Sequence, residues 1–66
     1  MIVTVDAGTR ELAGAMIVEA WKLGIETEKL YGHQLEFTCA RDEKVTGLLK
    51  KFPSATILHT ELVKEI

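Results

Sequence analysis

The chain lacks the residues that cross-link or anchor many small proteins. Its single cysteine, Cys39, excludes an internal disulfide, and with only two distant histidines beside it a four-ligand zinc site is disfavoured. The longest nearly uncharged stretch, 12–21, is far shorter than the roughly 20 residues that cross a bilayer, and no basic leader precedes the first β-rich residues. We therefore expect a cytoplasmic protein with no metal, no cofactor and no membrane contact.

An excess of positive charge is also missing. Eight Lys and Arg residues stand against ten Asp and Glu residues, which gives a net charge of -2, and the basic residues are scattered along the chain. Proteins that bind nucleic acids concentrate positive charge on one surface. Aromatic residues, on which unpaired bases stack, make up only 6% of the sequence. The composition predicts no nucleic-acid partner.

What the chain does have is the composition of an ordinary folded domain, with 47% hydrophobic and 27% charged residues. Its 66 residues leave room for one core, so we expect a single domain over 1–66. A domain this small buries only about 60% of the surface that its unfolded chain exposes. The resulting stability margin is thin, and this favours self-association, most simply as a homodimer.

The first third of the chain predicts a strand followed by a helix. The run 2–5 is β-branched throughout, which is typical of a strand. Thr9 is suited to be the N-cap of a helix over 10–23, and Gly24 stands where a left-handed glycine commonly ends a helix.

Two extended runs, 25–31 and 34–40, follow on either side of a Gly-His pair and favour a β-hairpin. The second run alternates, with Leu35, Phe37 and Cys39 on one face, as in a half-buried strand. We interpret Cys39 as an apolar filler rather than a reactive thiol. The other face is predicted to be polar and acidic, with the members Glu26, Glu28, Gln34, Glu36 and Thr38.

The last third predicts a second helix and a final strand. The helix begins at Arg41 or Asp42 and stops before Pro53, and its apolar residues recur at the spacing of a core-facing stripe: Val45, Leu48, Leu49 and Phe52. The β-rich run 55–63 follows.

The order β-α-β-β-α-β predicts an α+β two-layer sandwich of the ferredoxin-like type, with four antiparallel strands and both helices on one face. Because the run 25–29 alternates only weakly, a competing interpretation treats it as a loop. The fold would then be a three-stranded β-α-β-α-β sandwich.

The first helix carries apolar residues on two sides. One arc of about 100° faces the predicted sheet and contains Leu12, Ala13, Met16, Ala20 and Leu23. The roughly opposite side contains Gly14, Ile17, Val18 and Trp21. Trp is a favoured interface anchor, so this second side is a candidate interface. The alternative is that Trp21 folds over the sheet edge and packs on the terminal strand.

The turn between the first strand and the first helix is a candidate anion site. Asp6, Gly8, Thr9 and Arg10 lie where a helix start offers unpaired N–H groups, the positive end of its dipole and an arginine. A simple capped turn, in which Gly8 supplies a positive φ and Thr9 the cap, explains the same residues without a ligand.

The first 25 residues resemble the ACT family of small-molecule-sensing domains. The likeness rests on a strand ending in Asp6, on Gly8 and Leu12, and on the Leu-Gly-Ile exit over 23–25. The resemblance implies a regulatory domain that pairs sheet edge to sheet edge and takes an amino acid or similar metabolite near Asp6 and Gly8. The turn is shorter than the family's usual form and lacks its proline.

No pattern of catalytic residues stands out. His33 is expected in the hairpin turn and His59 in the last strand, and neither has a nucleophile or metal-ligand partner at a useful spacing. We therefore predict that the protein is not an enzyme.

The sequence favours a small accessory or inhibitor-like interaction module, of the kind found among phage proteins, that binds a protein partner and self-associates. The alternative is a domain that senses or sequesters a small anionic molecule, such as an amino acid, another metabolite or a nucleotide.

Overall fold

A computed structural model describes residues 1–39 and 42–61, with the side chain of Asp42 excepted. The elements in chain order are β1 (Ile2–Asp6), α1 (Arg10–Lys22), β2 (Glu26–Lys29), β3 (Gln34–Thr38), α2 (Asp42–Lys51) and β4 (Thr56–Glu61). The strands form one antiparallel sheet in the order β2-β3-β1-β4. The predicted ferredoxin-like α+β fold is confirmed, and the three-stranded alternative is wrong.

Helix α1 has the ends that the sequence predicts. The backbone of Thr9 is extended, and its Oγ1 accepts a hydrogen bond of 3.1 Å from the N–H of Leu12, which satisfies one of the unpaired donors of the first turn. At the other end Gly24 has a φ of +73°, and the N–H of Ile25 donates to the Ala20 carbonyl at 2.9 Å. This left-handed exit turns the chain directly into β2.

The strand register separates a buried face of the sheet from an open face. Val3 pairs with Phe37 and Val5 with Leu35, and all four side chains are buried. Because successive side chains alternate between the faces of a strand, the residues between them lie on the other side of the sheet. Both helices pack on the first of these faces, which we call the helix face, and the second is the open face.

One apolar cluster lies between the helices and the sheet. It comprises Val3, Val5, Ala7, Ala13, Met16, Ala20, Ile25, Leu35, Phe37, Val45 and Leu48. Of the predicted α2 stripe, Val45 and Leu48 are buried, whereas Leu49 and Phe52 are half-buried at its margin. Cys39 is also only half-buried, because it follows the end of β3 at the edge of the core. Its expected role as a filler is therefore correct only in part.

Strand β4 is exposed along its whole length. It is the edge strand beside β1, and a bulge opposite Thr4 and Val5 shifts its register between Ile57 and His59. Ile57 is 53% exposed and Leu58 48% exposed. The predicted strand is thus found over Thr56–Glu61, and positions 62 and 63 of the predicted run lie outside the described residues.

A salt bridge joins the two helices. The Glu19 carboxylate on α1 lies 3.2 Å from Lys51 Nζ on α2 and 3.5 Å from Lys22 Nζ one turn along α1. The hydrogen bond from Lys51, with the positive charges of both lysines, lowers the pKa of Glu19 below its ordinary value. The carboxylate thus stabilises the folded state while it is ionised.

We expect replacement of Glu19 by glutamine to lower stability at neutral pH and to have no effect in acid. Because the folded-state pKa lies below the unfolded one, the contribution is complete above the unfolded pKa and disappears as pH falls through the folded pKa. The effect should be small because the pair is solvent-exposed. Urea unfolding of both proteins over a series of pH values from neutral downwards measures it, and the difference should shrink as the pH falls through the lowered folded-state pKa. Equal stability at neutral pH would contradict the contribution.

Candidate functional site

The outer side of α1 carries an exposed apolar surface. Trp21 is 82% exposed and Val18 50% exposed, while Ile17 is half-buried and Gly14 is exposed. We call these four residues the α1 outer patch. Trp21 does not pack on the terminal strand, because β4 and β2 occupy opposite edges of the sheet and Trp21 lies beside β2. The structure therefore places it on the surface.

An open groove runs from the α1 outer patch to the edge of the sheet. It has a volume of about 310 Å³, and its lining residues are Ile17, Trp21, Gly24, Ile25, Glu26 and Thr27. The indole of Trp21 and the side chain of Ile17 form one wall and β2 forms the other. A partner that covered the Trp21 ring could also reach this edge strand.

The β1–α1 turn uses its polar groups internally. The Asp6 carboxylate accepts a hydrogen bond of 2.8 Å from the Gly8 N–H, and Gly8 has a φ of +88°. Thr9 caps the helix as described above. An anion at this turn would compete with the Asp6 carboxylate for the same donor and would meet its negative charge. The geometry is that of a capped Asx turn.

Arg10, which directly follows Thr9, faces a separate pocket. It lines a pocket of about 230 Å³ between α1 and the β2–β3 hairpin, with the lining residues Arg10, Ala13, Gly14, Ile17, Lys29, Gly32 and His33. We call it the basic pocket. Asp6, Gly8 and Thr9 are not among its lining residues. Of the four residues of the predicted turn site, only Arg10 lines this pocket, where it is joined by Gly14 and Ile17 of the α1 outer patch.

Lys29 and His33 also line this pocket, and the sequence alone did not indicate them as site residues. Lys29 pairs with the buried Leu35 across the hairpin, so it lies on the helix face, toward α1. His33 lies in the hairpin turn next to Gly32, which has a φ of +68°. The strand alternation could have placed Lys29 on this face. The approach of the turn to the start of α1 has no signal in the sequence.

Gly14 is in the middle of α1, where glycine costs about 0.5–1 kcal/mol relative to alanine. A methyl group built at Gly14 would meet no atom within 4 Å, so packing among the described residues does not require a glycine there. The same is true of Gly47 in α2, which does not line the basic pocket. Gly14 therefore leaves open space in the pocket at a cost to helix stability.

The open face of the sheet is acidic. Across the hairpin Glu28 pairs directly with Glu36, and like charges in such pairs are destabilising. The register also places on this face, among others, Asp6, Glu26 and Glu61. In the portions of the chain with assigned strands, no lysine or arginine accompanies them. His59 pairs with Thr4 on this same face and is exposed.

Over residues 1–39 and 42–61 we find no group of three or more His, Cys, Asp or Glu side chains suited to hold a metal ion. In the same part of the chain, neither helix has the length and apolar character needed to span a bilayer.

Comparisons with protein-family models, with curated proteins and with solved structures found no match.

Proposed function

We propose that this protein is a non-catalytic cytoplasmic interaction module that self-associates through the α1 outer patch and acts by occupying a protein partner. The observation that carries the proposal is the 82% exposure of Trp21 beside the half-exposed Val18. Trp is the residue type most enriched among energetic anchors of interfaces. While the indole is exposed to water, the small domain lacks the stabilisation that burying this side chain would give. A second copy of the chain could bury it.

Burial of the Trp21 indole alone does not give enough free energy for a stable dimer. Burial of an aromatic side chain of about 150–250 Å² at roughly 25 cal/mol per Å² gives about 4–6 kcal/mol. Association costs about 4–15 kcal/mol in lost freedom, so Trp21 alone offsets only the lower end. Val18, Ile17 and the neighbouring groove must be covered as well. A typical interface of about 800 Å² per partner is roughly a sixth of the 4786 Å² surface of this chain.

The helix surface is a better self-association site than the β2 edge. Glu26 and Glu28 both lie on the open face. If two copies paired antiparallel through β2 about a two-fold axis, residues on the same face would stand opposite each other. In the registers centred on these residues, Glu26 would meet Glu28 of the second copy, or Glu26 or Glu28 would meet its own equivalent. Each of these arrangements opposes like charges. Edge-to-edge pairing through β2, one form of the pairing that the ACT resemblance implied, is therefore disfavoured.

A protein partner is expected to use the same patch. A single surface that serves both self-association and partner binding would make the two mutually exclusive, which suits a small accessory or inhibitor-like protein. The polarity of the open face also favours the α1 outer patch as the binding surface. The five acidic side chains that the described strands place on the open face would have to be desolvated or paired in any interface there.

The fluorescence of Trp21 tests self-association directly, because it is the only tryptophan in the chain. We expect the emission to shift to the blue, and acrylamide quenching to weaken, as the concentration rises from low to high micromolar. Covering the indole removes it from water, and excitation at the long-wavelength edge of its absorption, beyond that of Tyr31, keeps the signal specific to Trp21. A spectrum typical of solvent-exposed tryptophan at every concentration would contradict the proposal.

A further inference from the structure

The basic pocket has the chemistry of an anion site, and it shares Gly14 and Ile17 with the α1 outer patch but not Val18 or Trp21. We propose that it binds a small organic anion, a carboxylate or a phosphate that carries a short hydrocarbon part. The charged group would lie between Arg10 and Lys29, and the hydrocarbon part would lie against α1 over Gly14 and Ile17.

Three elements supply the cationic and polar side of the pocket. Arg10 is the first residue of α1, Lys29 is the last residue of β2, and His33 lies in the hairpin turn. A guanidinium binds carboxylate or phosphate through paired hydrogen bonds, and a lysine adds a compact charge. Among the described lining residues there is no carboxylate, because strand alternation places Glu28 on the open face. The lining itself would thus offer a bound anion the positive charges of Arg10 and Lys29.

Backbone hydrogen bonds hold the two walls of the pocket together. The Ala7 N–H, just before α1, donates to the His33 carbonyl at 3.0 Å. Within the hairpin, the Leu30 N–H donates to the Gln34 carbonyl at 2.9 Å. These bonds place the hairpin turn against the start of α1 before any ligand arrives. Such preorganisation lowers the ordering cost of binding.

The apolar side of the pocket defines the rest of the ligand. Ala13 and Gly14 are neighbours on α1, Ile17 lies about one turn further along, and none of the three carries a charged group. The missing side chain at Gly14 leaves space that the packing of the protein does not need. The volume of about 230 Å³ is below the roughly 300–1,000 Å³ of pockets for drug-sized molecules. The site therefore fits a small ligand with one charged end.

Titrations followed by amide NMR spectra test the site. The probes are hexanoate and hexyl phosphate, with inorganic phosphate lacking the hydrocarbon part and hexylammonium carrying the opposite charge. Trp21 does not line the pocket, so the titrations use the Trp21→Glu variant, in which self-association does not compete. We expect saturable shifts at Arg10, Gly14 and Lys29 with one or both hexyl anions, weaker binding of inorganic phosphate and no saturable binding of hexylammonium.

Matched variants distinguish binding in the basic pocket from general effects of net charge and of helix stability. We expect Arg10→Gln and Lys29→Gln each to lower the affinity for the hexyl anion about ten- to a hundredfold. This is the contribution of one charge-assisted hydrogen bond. Lys50→Gln makes the same charge change on α2 and should leave binding unchanged. Gly14→Leu should abolish binding by filling the space, whereas Gly47→Leu makes the same replacement in α2 and should not affect it.

The tighter of the two hexyl anions would identify the carboxylate or the phosphate as the natural group. The proposal would be overturned if no probe gave a saturable shift, or if hexylammonium or inorganic phosphate bound as tightly as the hexyl anions. It would also be overturned if neither Arg10→Gln nor Gly14→Leu changed the affinity for the hexyl anions. Binding that occurs in the wild type and is lost in Trp21→Glu would also overturn it, since the site would then be assembled by self-association. The last result would leave the proposed function intact.

Discussion

Replacing Leu48 by alanine should lower the free energy of unfolding by about 2–5 kcal/mol. Leu48 is fully buried on α2, where its side chain belongs to the central apolar cluster. Truncation removes its transfer free energy and leaves a cavity that the short helix can only partly close. Since a domain of this length has a total stability of roughly 3–10 kcal/mol, most of the protein should be unfolded or close to unfolding.

The neighbouring Leu49 provides the control, because Leu49→Ala makes the same chemical change at a half-buried position. It should cost clearly less than Leu48→Ala when both are measured by urea unfolding at one protein concentration. Phe52→Ala should likewise lower the free energy of unfolding by less than the same change at a fully buried phenylalanine. A loss below about 1 kcal/mol for Leu48→Ala, typical of a surface change, would mean that α2 does not pack as described.

Replacing Trp21 by glutamate should convert the self-associated protein to a monomer without unfolding it. The side chain is 82% exposed in the single chain, so the substitution removes little from the core. In the proposed interface it deletes the main anchor and buries a charge instead. Loss of such an anchor typically weakens binding by about 2–4 kcal/mol, or roughly 30- to 1,000-fold in Kd. Circular dichroism should remain that of the wild type.

Tyr31 is the matched control for this substitution. It is 93% exposed in the turn region between β2 and β3 and lies outside the α1 outer patch. Tyr31→Glu makes a comparable aromatic-to-acid change, and we expect it to leave self-association intact. If Trp21→Glu unfolds the protein, the indole contributes to the core and the proposed interface is wrong. If both variants dissociate equally, net charge rather than the patch controls association.

The parts of the fold that depend on local chemistry could be predicted from the sequence. Thr9 and Gly24 mark the ends of α1 because capping needs a hydroxyl at one end and a left-handed residue at the other. The alternation of Leu35 and Phe37 identified the buried face of β3. Together with the element order, these signals were sufficient for the ferredoxin-like arrangement.

The features that depend on how separate elements meet could not be predicted. Lys29 and His33 join Arg10 only because the hairpin turn approaches the start of α1. The exposure of β4 depends on how far α2 extends over the sheet, which the pattern of Ile57 and Leu58 does not reveal. The side of α1 that carries Trp21 could be recognised as apolar, but whether another element covered it was a question of tertiary placement.

Sedimentation equilibrium of the wild type and of Trp21→Glu shows whether the chain self-associates through the α1 outer patch. We predict that the wild type approaches twice the chain mass of 7.3 kDa at high micromolar concentration. Trp21→Glu should stay at the chain mass over the same range while keeping a native circular dichroism spectrum. A wild type that remains at 7.3 kDa throughout, or a folded Trp21→Glu variant that associates as the wild type does, would contradict the account.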